Sequence, residues 1–253
     1  FKCGEDMDVP QTEEHGYVSD DSDFEQIIWE FEHKDESTPL FLFNVTIQNH
    51  GSYTVEDYPA EVQLTDEPGA YPKAEQYLTL ANKTDEAFKK LIDYFSAQTE
   101  PTILVMFGDH QPSVEQEFLD KAYGVTQDEM TMAQYMDKFK VPFIIWANYP
   151  LEHTAAATST TDPLNRMDMV MLTPTLLQQA GLPLSDYYEY LLEMKHNTPV
   201  VTAANDYMKV DGSTAEYGAD PALDEWAKGY LMLEYNNIGA HAKRDQSIFD
   251  PAE

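Results

Sequence analysis

The sequence predicts an α/β fold, with a largely parallel central sheet and helices on both faces in a three-layer α/β/α arrangement. Three observations carry this prediction. The run Pro39–Ile47 is continuous, apolar and rich in β-formers, the pattern of a strand buried on both faces, and Pro101–Phe107 and Val141–Ala147 read as a second and a third apolar strand. Between the first two runs, helical spacing is sustained over Lys73–Ala97, with apolar residues at Ala74, Tyr77, Leu78, Ala81, Phe88, Leu91, Ile92 and Phe95. Between the second and third, shorter helical patterns cover Val114–Tyr123 and Gln127–Phe139. Strands alternating with helices are the signature of βαβ crossovers, in which the strands run parallel.

The remaining elements follow in chain order. Residues 1–23 form an acidic, weakly periodic lead-in. Its cluster Asp20-Asp21-Ser22-Asp23 lacks the Gly and terminal Glu of an EF-hand loop and reads as a solvated surface or helix cap. Phe24, Ile27, Ile28 and Phe31 then give a short helix one apolar face. After the third strand, a Thr/Ala-rich loop at 154–161 leads to a helix near Asp168–Ala180 that stops at Gly181. A tyrosine-rich helix follows over Ser185–Met194, and its Tyr187–Tyr190 run is expected to pack on the core. Thr198–Thr202 has the composition of an edge strand. Residues 204–253 form an acidic helical tail whose helix carries Leu223, Trp226, Ala227, Tyr230, Leu231 and Leu233. No repeat or linker divides the chain, so residues 1–253 read as one domain.

Charge and composition narrow the function. The chain has 253 residues, with 15 Lys and Arg against 46 Asp and Glu, a formal charge of −31. Such a surface repels phosphate backbones and anionic lipid, which argues against a nucleic-acid partner. The longest apolar runs fall well short of the ~20 residues that cross a bilayer, so no membrane span is expected. A single cysteine, Cys3, excludes an internal disulfide framework and any all-cysteine metal site. The first residue is Phe rather than Met, and the chain reads as a piece of something longer.

Ligands in open α/β sheets gather at the carboxyl ends of the strands. Two strands end there in chemistry-bearing residues, Asn49-His50 and Gly108-Asp109-His110. Gly108 permits the sharp turn that would let an adjacent carboxylate and imidazole share one divalent ion. By spacing alone, such a pair is more often a helix cap or an ordinary hydrogen-bonded turn, and His50 before a Gly a turn histidine. His15, His33, His153, His196 and His241 have no partner at ligand spacing and are expected at the surface.

The run Phe41-Leu-Phe-Asn-Val-Thr-Ile-Gln-Asn-His-Gly-Ser-Tyr53 resembles the strand and turn of lipoteichoic acid synthase-like phosphoglycerol transferases, in the sulfatase/alkaline phosphatase superfamily. Thr102-Ile-Leu-Val-Met-Phe-Gly-Asp-His-Gln-Pro-Ser113 is similar to that family's metal motif. Val141–Asn148, Thr173–Gly181 and Tyr187–Leu191 continue in the family order, so the resemblance covers roughly residues 17 to 200. It implies the C-terminal portion of a catalytic domain. By the same resemblance, Asp109 and His110 are metal ligands and His50 contacts the substrate phosphoryl group. The ion would be one Mn²⁺ or Mg²⁺, with Zn²⁺ less suited. A further Glu ligand and the Thr nucleophile would lie upstream of Phe1, which leaves no catalytic nucleophile in this chain and no turnover by it alone. The implied substrate is a phosphoglycerol lipid or polymer, and the implied location is the cell surface, on a parent tethered to the plasma membrane. Two rivals stand beside this reading. One is a sulfatase-like ester hydrolase, although Cys3-Gly4-Glu5-Asp6-Met7 lacks the Pro and Arg of the formylglycine motif. The other is a catalytically incomplete acidic binding domain.

Overall fold

A computed structural model describes residues 2, 4–56, 58–151, 166–202 and 206–251. Cys3, His153 and the loop at 154–161 lie outside the described residues, as does the side chain of His241. The chain divides into two compact units, Phe1–Thr102 with Gly108–Glu129, and Ile103–Phe107 with Met130–Glu253.

The first unit is organised by two helices, α1 (Asp20–His33) and α2 (Pro72–Ser96). Ser19 caps α1, its hydroxyl accepting from the Ser22 N–H at 3.2 Å. No side chain at its own N-cap serves α2; instead the Glu115 carboxylate accepts from the Lys73 and Ala74 N–H groups, at 2.8 and 3.0 Å. An anion there satisfies two orphan donors and meets the positive end of the helix dipole. The apolar faces of the helices meet through Phe24 against Phe88 and Phe31 against Phe95, with Leu80, Leu91 and Phe95 buried beneath. Ahead of α1 lies a short antiparallel hairpin, β1 (Glu13–Glu14) with β2 (Tyr17–Val18), and Gln116–Tyr123 forms α3.

The second unit contains β3 (Ile103–Phe107) and β4 (Phe143–Ala147), with α4 (Met132–Asp137) before β4. Further on come α5 (Leu172–Gln179) and α6 (Asp186–Lys195). A three-stranded sheet of β5 (Val200–Val201), β6 (Tyr207–Met208) and β7 (Thr214–Ala215) precedes α7 (Pro221–Glu234). Tyr207, Leu223 and Ala227 form a buried cluster between that sheet and α7. As expected, β5 is an edge strand and Tyr187 packs inward, but the β6–β7 hairpin carries no signal that sequence patterning detects. Its strands are two residues long, too short for alternation to register.

Two strand expectations need correction. β3 and β4 pair antiparallel, Ile103 opposite Ala147 and Phe107 opposite Phe143. Helices of eight and six residues separate them, and antiparallel neighbours need no crossover that traverses the sheet. Among the described residues every strand pairing is antiparallel. The run at Pro39–Ile47 joins no ladder among the described residues, and it is not buried on both faces. Phe41, Phe43, Val45 and Ile47 are exposed, Phe41 at 89%. Their every-second-residue spacing is strand patterning, but only a pairing partner converts such a pattern into a buried strand.

Candidate active site

The three residues singled out from the sequence all fall in the first unit. Asp109 and His110 sit on the exposed turn that follows Gly108, their side chains 84% and 75% exposed. The His110 backbone N–H donates to Asp109 Oδ1 at 2.8 Å, and this folds the carboxylate back over the next residue. The ring Nδ1 of His110 lies 2.9 Å from the Gln111 carbonyl. A carbonyl only accepts, so Nδ1 carries the proton of that bond and the neutral ring keeps its lone pair on Nε2. Nε2 in turn lies 3.5 Å from Asp109 Oδ2. Two lone-pair donors, one oxygen and one nitrogen, thus stand side by side and open to solvent.

His50 repeats this local geometry. Its Nδ1 is 2.8 Å from the Gly51 carbonyl, which again leaves Nε2 as the lone-pair nitrogen. The Tyr17 hydroxyl stands 3.4 Å from the same Nδ1, and the two rings meet edge to face at 5.7 Å. Among the described residues no hydrogen bond or ion pair joins His50 directly to Asp109 or His110. Tyr53 lies three positions beyond His50. Its hydroxyl donates to the Asn49 carbonyl at 2.7 Å, and the side chain is buried. Burial pushes that hydroxyl up to about 12, and the charges of Tyr77 and Asp109 act in the same direction. The Asp109 carboxylate is therefore within electrostatic range of a residue three positions beyond His50.

The expectation for His15 is overturned. It is half-buried, with both ring nitrogens hidden and without a hydrogen-bond partner, and its ring packs among Tyr17, Tyr53 and Tyr58. An imidazole is flat and aromatic enough to fill a tyrosine cluster, and nothing at sequence spacing reveals that. His33 and His196 are exposed, as expected. Sequence reasoning also missed Asp20, which is fully buried although it belongs to a cluster read as solvated. The cluster does form the first turn of α1, in keeping with the helix-cap half of that reading.

The donor chemistry suits a divalent cation in part. A carboxylate oxygen suits Mn²⁺ or Mg²⁺ and an imidazole nitrogen suits the softer divalent ions, but together they fill two positions of about six. Among the described residues no group of three or more His, Cys, Asp or Glu side chains could hold a metal ion.

The sulfatase family model matches residues 3–182, about seven-tenths of the chain. The chain belongs to the sulfatase family. Its fold matches that of Streptococcus pyogenes phosphoglycerol transferase GacH, solved in complex with sn-glycerol-1-phosphate. The TM-score is 0.67 and the identity 17%, over 96% of this chain and 55% of that one. A protein of Rhizobium meliloti (strain 1021), named for cyclic beta-1,2-glucan modification, is 23% identical over 245 residues. That match takes in 93% of this chain and 36% of the relative. The chain thus spans between a third and a little over half the length of these two proteins. The α/β sulfatase-like class and the superfamily implied by the motifs hold, although β3 and β4 run antiparallel.

Proposed function

We propose that this chain is part of a metal-dependent enzyme that transfers or hydrolyses phosphoglycerol-type phosphodiesters at the cell surface. Asp109 and His110 would contribute two ligands to one Mn²⁺ or Mg²⁺, and His50 would contact the phosphoryl oxygens. The observation that carries the reading is the pair at 3.5 Å, with Nδ1 of His110 committed to a carbonyl and Nε2 left beside a carboxylate oxygen. Metal-binding histidines are oriented in this way by a second hydrogen bond. When bound, the ion would neutralise charge on the phosphoryl oxygens and lower the pKa of a hydroxyl nucleophile.

The chain's own residues do three things in this reading. Asp109 supplies negative charge for the cation, His110 supplies a neutral nitrogen, and His50 presents Nε2 towards an anion without adding to the −31 of formal charge. When that nitrogen is protonated, it donates to phosphoryl oxygens. The Thr nucleophile and a further Glu ligand are expected in sequence upstream of Phe1, and the parent is expected to be tethered to the plasma membrane. Among the described residues no helix is long and apolar enough to cross a membrane. GacH is a phosphoglycerol transferase and the Rhizobium relative is named for modifying a glucan, so a carbohydrate hydroxyl is the acceptor we favour.

The test is cleavage of a glycerophosphate-headgroup lipid by the full-length protein with Mn²⁺ or Mg²⁺ in excess. Asp109→Ala and His110→Ala are each expected to lower turnover by more than about 100-fold. Turnover in Asp109→Ala equal to that of the unmodified protein would remove the metal assignment.

A further inference from the structure

His50 hangs from a turn whose two preceding side chains both reach into the first unit. The Asp20 backbone N–H donates to Gln48 Oε1 at 3.0 Å. Gln48 Nε2 lies 3.2 Å from the Thr84 hydroxyl, and Asn49 Nδ2 donates to that same hydroxyl at 2.8 Å. A hydroxyl has one proton and two lone pairs, so Thr84, in accepting from both amides, has a single proton left to give. Two acceptors compete for it, Asp20 Oδ2 at 2.5 Å and the Leu80 carbonyl at 3.2 Å. The shorter bond to the carboxyl group prevails, and it holds the hydroxyl so that its lone pairs face Gln48 and Asn49.

Asp20 occupies a costly place for this task. The residue is fully buried, and its second oxygen, Oδ1, is buried without a partner. Burial pushes the carboxyl up to about 6 against the opposing Thr84 bond, with the Asp23 charge adding to the rise. An apolar residue would fill the space at lower cost, but Thr84 would then turn its proton back to Leu80 and withdraw its lone pairs from the amides.

We infer that Asp20, acting through Thr84, is a positioning residue that sets the orientation of His50. The reach is short. Asn49 is held at its side chain by Thr84 and at its carbonyl by Tyr53, so the peptide entering His50 is clamped on both sides. Gly51 then fixes the ring. The inference rests on the reading that His50 contacts a phosphoryl group, but the two can fail separately.

The experiment is nitrogen NMR of the histidine side chains in the full-length protein, with inorganic phosphate as the probe. In the unmodified protein His50 is expected to keep its Nδ1 proton on the Gly51 carbonyl, with the Nε2 signal moving towards the protonated form as phosphate is added. Thr84→Val should mix the two ring forms of His50 and weaken its phosphate response about tenfold, the effect of one misplaced hydrogen bond to a charged oxygen. Thr84→Ser should restore both, and His196, whose Nδ1 bonds the Leu192 carbonyl on α6, should stay unchanged throughout. Unaltered His50 signals and phosphate response in Thr84→Val would overturn the positioning role. Should His50 ignore phosphate in the unmodified protein yet change form in Thr84→Val, the positioning role stands and the phosphoryl reading falls. Should Thr84→Val also disturb His196, Asp20→Leu decides by the same criteria, because it removes the acceptor of the Thr84 proton while leaving Thr84 itself in place.

Discussion

The two histidine turns of the first unit share a ring geometry and differ in everything beneath it. At His50 the preceding residues are tied to α1 and α2 by the Gln48 and Asn49 side chains, and Tyr53 closes the turn from below. At His110 the bonds are local, from the His110 N–H to Asp109 and from the ring to Gln111, and the pair stands in solvent. A residue that orients a substrate gains from a rigid base. Two ligands of a cation can be gathered by the cation itself, so their turn needs less support from the fold.

The strongest way to sharpen this contrast is Asp20→Asn, followed by denaturation across pH. The Asp20 carboxyl is raised from 3.8 to about 6, so between those values the native state keeps a proton that the unfolded chain releases. The stability tied to that proton is complete below about pH 4 and is lost as pH rises through about 6. Measured against the unmodified protein, Asp20→Asn should therefore gain about 3 kcal/mol between about pH 2 and pH 8, most of it between about pH 4 and pH 6. A difference that stays flat over that range would show that Asp20 is not buried as an acid.

Next in size is Tyr53→Phe, which removes the hydroxyl that donates to Asn49 and should cost about 1 kcal/mol in chemical denaturation. No loss would mean that the His50 turn is held by its amides alone. The smallest effects belong to the other turn. In the metal-free protein Asp109→Asn and His110→Ala should each change unfolding free energy by less than about 0.5 kcal/mol, since both groups are exposed. A loss above about 1 kcal/mol would reveal support beneath that turn and erase the contrast.

Much of the architecture was legible before any coordinate. The period of Lys73–Ala97 matches α2 within a residue at each end, because a long amphipathic helix repeats its signal many times. β3 and β4 were legible as strands but not in direction, because an apolar run rich in β-formers says nothing of which neighbour runs which way, and both strands are only half-buried. Asp109, His110 and His50 were singled out as candidates by type and order. The network under His50 was not, since Asp20, Gln48 and Thr84 lie 28 to 64 positions apart and each alone looks like an ordinary polar residue.

The sequence by itself determined where the longer helices lie, the superfamily motifs and the strongly acidic composition, and it singled out Asp109, His110 and His50 as candidates. All of these are properties of adjacent residues or of sums over the chain. Tertiary structure alone decided that Asp20 is buried, that His15 fills a tyrosine cluster, and that Phe41, Phe43 and Val45 face outward. Burial and hydrogen bonding depend on what other parts of the chain bring alongside a residue, and at long sequence separation the pattern of neighbours carries no record of that meeting.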